Sequence, residues 1–409
     1  MRAEIISVGS ELLRGEIADT NAPYLAQELF KLGYEVVQIT QVGDDKASII
    51  EALKRAWERS KLVLVVGGLG PTRDDLTREA VANFFDEELK VDPDLERWLR
   101  ETFQRLGRRM PEENLKQATL IPSARSIPNP KGTAPGWWVE REGKRLVALP
   151  GPPRELDLMW RKKIVSQLRG QAEEATRCHT LKIWGLSESE VDEGLSALPP
   201  TGNLQIGTYA KFDGIHVQLV AKAQEREQAE RLLAQVSAQV RSLFGERIWG
   251  QDEERLEALV GELLRQRGLT LATMESCTGG LLADLITNVP GSSAYFKGGL
   301  VAYSNELKIS SGVEAELIAR HGAVSAEVAE VMAEAVRFVA GANVGVSTTG
   351  VAGPDPLEGK PVGTVYAGIS DGVRKRVIHR LYPQGRLEIK RRAAFGVLFE
   401  LRRFLLEED

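Results

Sequence analysis

Between residues 1 and 170, short runs rich in β-branched residues alternate with amphipathic helical patterns, and no other feature limits the fold of this chain so strongly. AEIISVG, YEVVQITQVG, KLVLVVGG and RLVALPG read as strands, while NAPYLAQELFKLG, KASIIEALKRAWERS and ELDLMWRKKIVSQLRG read as helices. Parallel strands need a crossover connection and the intervening helices supply it, so the expected domain is a doubly wound α/β sheet. Pro150, Gly151, Pro152 and Pro153 stop the last strand, and the polar stretch QAEEATR (171–177) reads as a linker.

From Cys178 to about Gly250 the order changes. HTLKIWG reads as a strand, SESEVDEGLSAL as a helix, NLQIGTYAKFDGIHVQLVAKA as two strands joined through Phe212, Asp213 and Gly214, and EREQAERLLAQVSAQVRSLFG as a long helix. A β-α-β-β-α unit of this size is a small α/β plait, comparable to a KH-type module. RNA-binding KH modules clamp the backbone with a GXXG loop, but no glycine from Gly185 to Gly245 has another three positions later. A structural spacer is therefore favoured over an RNA clamp.

Near Glu253 the α/β alternation returns. GLTLATME, ANVGVSTTG and GTVYAGISD read as strands, SAYFKGGLVAYS as a strand pair, and GGLLADLITNV and AEVAEVMAEAVRFVAG as helices. A final basic helix runs from about Leu387 to Leu406. The boundaries are thus 1–170, 171–250 and 253–409, and a chain of 409 residues calls for roughly three domains on length alone.

Hydrophobic residues at 43% and charged residues at 27% match a folded soluble protein rather than a disordered or fibrous one. No apolar stretch approaches the eighteen or so residues that cross a membrane, and MRAEIISVGSE lacks the features of a signal peptide, so a cytoplasmic protein is expected. Cys178 and Cys277 are far apart and the four histidines are scattered singly, which argues against a disulfide framework and a multi-histidine metal site. A net charge of −5 offers no bulk attraction to nucleic acid.

Two stretches carry chemistry. GGLGPTRDDLT (67–77) follows the apolar run LVLVV, where glycines let a backbone approach a ligand and a helix start offers N–H groups to phosphate. Asp74 and Asp75 add two carboxylates suited to a hard cation such as Mg²⁺, or alternatively cap the helix. ESCTGG (275–280) places Ser276 at a strand-to-helix elbow, either as an N-cap or as a nucleophile. In the second case the amides of Thr278, Gly279 and Gly280 are candidate oxyanion donors. GGLVAYSNELK then offers Tyr303 and Lys308, five residues apart. A desolvated lysine can serve as base and a tyrosine can relay the proton, although in most proteins such residues are a surface lysine and an interfacial aromatic.

VGSELLRGEIADTNAPYLAQEL, QVGDD, GGLGPTRDDLT, NPKGTAPG and LPGPP together resemble the first domain of the CinA (competence/damage-inducible protein) family, which is similar to MoaB/MogA-like molybdopterin-binding domains. The resemblance implies a metal-dependent ADP-ribose pyrophosphatase that yields AMP and ribose 5-phosphate. It needs a divalent ion, Mg²⁺ or Co²⁺, and leaves a potassium requirement open. Carried over, its motifs fall on Asn21, Asp44, Gly68, Gly70, Asp74, Asp75, Thr77, Lys131, Gly132, Pro150, Gly151 and Glu155, with Asp75, Asp44 and Asp74 as the metal-binding or catalytic acids. ESCTGGLL, GGLVAYSNELK, HGAVSAEVAEVMA and TTGVAGPD with KPVGTVYAGI resemble the CinA C-terminal domain, which is similar to the nicotinamide mononucleotide (NMN) amidohydrolase. That implies metal-free deamidation of NMN to nicotinic acid mononucleotide and ammonia. Ser276 is then the nucleophile, Lys308 the base and Tyr303 its assistant in proton transfer, with Thr349 and Gly350 lining the pocket. Among Arg386, Lys390 and Arg391, basic residues of the last helix hold the phosphate. The family resemblance also implies a homodimer. The rival readings are an adaptor in DNA uptake or repair, and a molybdopterin-type ligand in the first domain.

Overall fold

The computed structural model describes residues 1–170, 175–199, 202–382 and 385–407; residues 171–174 of the expected linker lie outside the described residues. The chain forms two compact units, Met1–Cys178 with Val220–Leu233, and His179–Leu219 with Ala234–Asp409. Among the described residues no helix is long and apolar enough to cross a membrane.

The first domain is built on β1 (Arg2–Val8), β2 (Glu35–Val42), β3 (Leu62–Val66), the two-residue strands β4 (Lys90–Val91) and β5 (Thr119–Leu120), β6 (Ala124–Ile127), β7 (Gly136–Arg141) and β8 (Lys144–Leu149). The main sheet has the order β2-β1-β3-β8-β7-β6. Its first four strands are parallel, as expected, whereas β7 and β6 add on antiparallel. Sequence reading missed those two because GWWVER joins β8 through a tight hairpin rather than a helical crossover. Alternate residues serve opposite faces. Ile6, Val63 and Val65 pack with Ile49 and Leu53, while Ile5, Leu62 and Leu64 pack with Leu25, Leu29 and Leu156. Continuous apolar strands such as LVLVV are what a sheet covered on both faces requires.

The middle strands are β9 (Ala175–Ile183), β10 (Leu204–Lys211), β11 (Gly214–Ala223) and β12 (Ile248–Gln251), in the order β10-β11-β9-β12. The helices Glu188–Ser196 and Arg226–Phe244 complete the expected plait, the first opened by a capping box between Ser187 and Glu190. The fourth strand, IWGQ, is an addition to the sequence reading. Within the second unit Trp184 and Trp249 pack against Phe395, with ring centroids 4.8 and 5.3 Å away.

The last domain contains β13 (Leu271–Glu275), β14 (Phe296–Val301), β15 (Val344–Gly350), β16 (Thr364–Ser370) and β17 (Lys375–Leu381), in the order β14-β13-β15-β16-β17. SAYFKGGLVAYS is one strand after a 3₁₀ turn at Ser292–Ala294, not a strand pair, because β14 runs parallel to β13 and has no hairpin partner. The closing helix, Arg386–Leu406, is no solvated basic rod. Ala393, Ala394, Phe395, Val397, Leu398 and Leu401 are buried in the core, and of its charged residues Glu400 is buried with them.

Candidate active sites

In both doubly wound sheets the chain leaves a central strand, adds a strand on one side, and returns to the other side. The crevice at the carboxyl ends of such strands is where ligands of open α/β sheets bind. Ser276 follows β13, which has β14 on one side and β15 on the other. Gly9, Asp44, Gly67 and Pro150 follow β1, β2, β3 and β8, and together with neighbouring residues they line a cavity of about 970 Å³.

Ser276 is not the N-cap of the helix that follows its turn. The helix after it starts only at Leu281, with Gly279 and Gly280 in left-handed conformation at φ 63° and 95°. Capping falls instead to Glu275, whose buried carboxylate accepts the amides of Gly280, Leu282 and Ala283 at 2.8–3.0 Å. Ser276 Oγ is left facing Lys308 Nζ at 3.2 Å. Lys308 is 1% exposed, and its Nζ also donates to the carbonyls of Ala302 (3.0 Å) and Tyr303 (3.3 Å). Burial lowers the Lys308 pKa below that of an ordinary lysine. A neutral amine uses its two hydrogens on those carbonyls and turns its lone pair to the serine hydroxyl.

Cys277, intrinsically the stronger nucleophile, points elsewhere. It is 5% exposed in the core, and burial pushes its thiol up to about 12, so it carries no reactive thiolate near neutral pH. A Cβ on Gly350 would stand 3.1 Å from Cys277 Sγ and 2.6 Å from Thr364 O, so glycine at 350 makes room for the turn. Thr349 is buried, and its hydroxyl donates to Ala323 O at 2.7 Å.

The oxyanion expectation changes in detail. Gly280 N is taken by Glu275 and Gly279 N by Ser276 O at 3.1 Å. Among the described residues, the amides of Cys277 and Thr278 donate to no other residue, which leaves Thr278 from the expected trio and adds the residue directly after Ser276. The Tyr303 phenol does not reach the Ser–Lys pair. It is exposed and accepts from Arg386 Nη2 at 2.9 Å, while Arg386 Nη1 donates to Gly353 O at 2.5 Å. Lys390, one helical turn on, brings its ammonium to 3.5 Å from where a Cβ on Gly279 would sit. Arg391 lies about 100° further round the helix and is exposed, so Arg386 and Lys390 are the pair on the site's side.

In the first domain Gly68, Gly70, Asp44, Asp74, Asp75, Asn21, Pro150, Gly151 and Glu155 all line the cavity. Gly68 has φ 65°, and a Cβ there would stand 2.4 Å from Thr77 Oγ1, which itself donates to Gly67 O at 2.8 Å. Thr77 therefore shapes the loop from behind. Asn21 Nδ2 donates to Gly151 O at 2.7 Å, tying two walls together. Asp44 accepts the Ser10 amide at 2.8 Å, and Asp75 accepts the Thr72 amide at 2.9 Å rather than capping the helix. Lys131 is exposed and, like Gly132, gives its amide to Asn129 Oδ1, so neither forms part of the cavity wall. Glu155 is held by Asn129 Nδ2 at 2.7 Å.

Sequence reasoning missed Asp19, which lines the cavity and accepts Ser7 Oγ at 2.6 Å and the amides of Asn21 and Ala22 at 3.0 Å. Its place just before a helix start was the available signal. With Glu11 it brings the wall to six carboxylates against one guanidinium, Arg14, itself paired with Glu16 at 2.7 Å. An anionic ligand enters such a cavity only with cations. Yet among the described residues no three His, Cys, Asp or Glu side chains are grouped so as to hold a metal ion. A cation here would therefore depend on oxygens of the bound ligand as well as on separate carboxylates.

Taken together, these are two doubly wound α/β domains with crevices at the carboxyl ends of their sheets, one of them furnished with a buried Ser–Lys pair. The chain belongs to the CinA family. Residues 253–405 match the CinA C-terminal domain, residues 178–250 the Damage-inducible protein CinA KH domain, and residues 4–170 the family described as "Probable molybdopterin binding domain". It is 42% identical over 407 residues to a relative from Caldanaerobacter subterraneus subsp. tengcongensis named competence-damage inducible protein, covering 99% of this chain and 98% of that one. A relative of the same name from Moorella thermoacetica is 42% identical over 409 residues, with 99% of each covered. The crystal structure of the CinA protein of Thermoplasma acidophilum, titled as of unknown function, is 37% identical and covers 41% of this chain and 97% of its own, with a TM-score of 0.39.

Proposed function

We propose that the C-terminal domain is a serine amidase that hydrolyses NMN to nicotinic acid mononucleotide and ammonia. The observation that carries this reading is the 3.2 Å approach of a buried Lys308 amine to Ser276 Oγ. Ser276 Oγ attacks the carboxamide carbon while Lys308 takes its proton. The amides of Cys277 and Thr278 stabilise the oxyanion, and Lys308 returns the proton to the departing ammonia. Water, deprotonated by the same amine, then attacks the acyl-serine ester and frees the acid. Arg386 and Lys390 supply positive charge for the phosphate, with the Tyr303 phenol holding Arg386 in place. Ammonia release from NMN by the wild type, Ser276→Ala, Cys277→Ala and Lys308→Ala tests this. Activity is expected in the wild type and Cys277→Ala alone. Equal activity in all four would overturn it.

For the first domain the proposed reaction is hydrolysis of ADP-ribose to AMP and ribose 5-phosphate. Among the described residues the amides of Gly68, Leu69 and Gly70 are taken by no hydrogen bond, which suits them to diphosphate oxygens. A divalent cation, Mg²⁺ or Co²⁺, would neutralise the diphosphate and acidify water, with Asp75 and Asp44 as the wall carboxylates available to it. A molybdopterin-type ligand is the second reading, favoured by the family that residues 4–170 match. Thermal-shift titration separates the two: stabilisation by a pterin but not by ADP-ribose with Mg²⁺ would sink the pyrophosphatase reading. An adaptor role in DNA uptake or repair has less support, since the net charge of −5 and the lack of a GXXG loop in the KH-type module, from Gly185 to Gly245, give nucleic acid little to bind.

A further inference from the structure

We propose that Glu275 is the positioning residue of the amidase site, holding Ser276 and its oxyanion amides in register; this rests on the reading of Ser276 as nucleophile. Glu275 is 1% exposed, although it immediately precedes the reactive serine. One carboxylate oxygen accepts Thr278 Oγ1 at 2.7 Å and the amides of Gly280 and Leu282 at 3.0 Å each; the other accepts the Ala283 amide at 2.8 Å. Glu275 thus binds the turn on its far side, from Thr278 to Ala283, while Ser276 and Cys277 arch over it.

A second tether reinforces the first. Thr278 spends its hydroxyl hydrogen on Glu275, so Thr348 Oγ1, 2.7 Å away, donates to Thr278. Ser276 N donates to Thr348 O at 2.8 Å, fixing the serine to the same strand. The turn contains two left-handed glycines, Gly279 and Gly280, and would be conformationally loose without such ties. By drawing the amides of Gly280, Leu282 and Ala283 inward, Glu275 leaves the amides of Cys277 and Thr278 directed elsewhere. Glu275 touches no reacting atom in this scheme and acts through geometry.

The conservative test is Glu275→Gln. The amide side chain keeps the size but replaces an acceptor oxygen by an NH₂ donor, so at least one of the four bonds is lost. Displacements of about 1 Å at a nucleophile cost on the order of 10²-fold in rate. With full-length folded protein and NMN, the expected result is a kcat reduced about 10²-fold with little change in KM, and a larger kcat loss in Glu275→Ala than in Glu275→Gln. Labelling of Ser276 by a fluorophosphonate probe is measured in parallel because it does not depend on the substrate. If the wild type labels but does not hydrolyse NMN, slower labelling of the Gln variant upholds the positioning role while the substrate assignment fails. Folded Gln and Ala variants that label and turn over at wild-type rates would overturn the proposal, as would a wild type whose Ser276 does not label.

Discussion

Lys308→Met separates the chemical role of the amine from the packing of its stem. Methionine keeps an unbranched chain in the buried site but supplies no proton acceptor. Loss of a general base costs about 10²–10⁴-fold, or roughly 3–5 kcal/mol of transition-state stabilisation. Stability is affected differently. The variant strips the carbonyl of the fully buried Ala302 of its Nζ donor, a cost of about 1–3 kcal/mol. Against this, methionine has no charged form for burial to disfavour. A lysine whose folded pKa is lowered makes the unfolded chain bind more protons, so wild-type stability rises with pH from the folded pKa up to the ordinary value of about 10.4. The Tm gap between wild type and Lys308→Met is therefore expected to widen as pH rises through that window, and to be smallest below it. Wild-type kcat/KM for NMN should climb over the same lower limb, since only the neutral amine accepts the serine proton. Thermal denaturation and ammonia release across this pH range read both. A variant as active as wild type, or a gap that narrows with rising pH, would refute the assignment of Lys308 as a buried neutral base.

Other perturbations address neighbouring parts of the account. Gly350→Ala should lower stability by about 1–3 kcal/mol in a denaturant titration, because its Cβ would meet Thr364 O at 2.6 Å and the Cys277 sulfur at 3.1 Å. Asp75→Asn is expected to lower metal-supported ADP-ribose turnover by at least tenfold without altering ammonia release from NMN; unchanged turnover would remove Asp75 from the first site. Treatment with EDTA should abolish the ADP-ribose reaction and spare the NMN reaction, measured on the same preparation. Arg386→Lys keeps a charge but loses the fork that reaches both Tyr303 and Gly353, so KM for NMN should rise severalfold.

The parts of the fold legible in the sequence were those with a strong period. LVLVV, AEIISVG and ATME could hardly be anything but covered strands, and SESEVDEGLSAL reads as the helix it forms. Strands that lack apolar monotony escaped: KRVIHRL is an edge strand, largely exposed, and IWGQ is only four residues long. The final helix was located correctly, but its arginines and Lys390 concealed how many of its residues face the core. At the candidate site, Ser276 and Lys308 were singled out by motif, and their proximity depends on β13 and β14 pairing in parallel. Glu275 and Asp19 went unselected because a lone acid beside a turn has many ordinary uses, and only folded geometry reveals how many donors converge on it. The direction of the Tyr303 phenol likewise follows from where Arg386 returns across 83 residues of chain.

The most direct measurement is mass spectrometry of the protein quenched in acid during turnover of NMN, with the peptide carrying Ser276 and Cys277 fragmented to locate any adduct. A nicotinoyl-mononucleotide acyl group on Ser276, absent from Lys308→Met, is the predicted result. An adduct on Cys277, or ammonia release that persists unchanged in Ser276→Ala, would contradict the serine amidase.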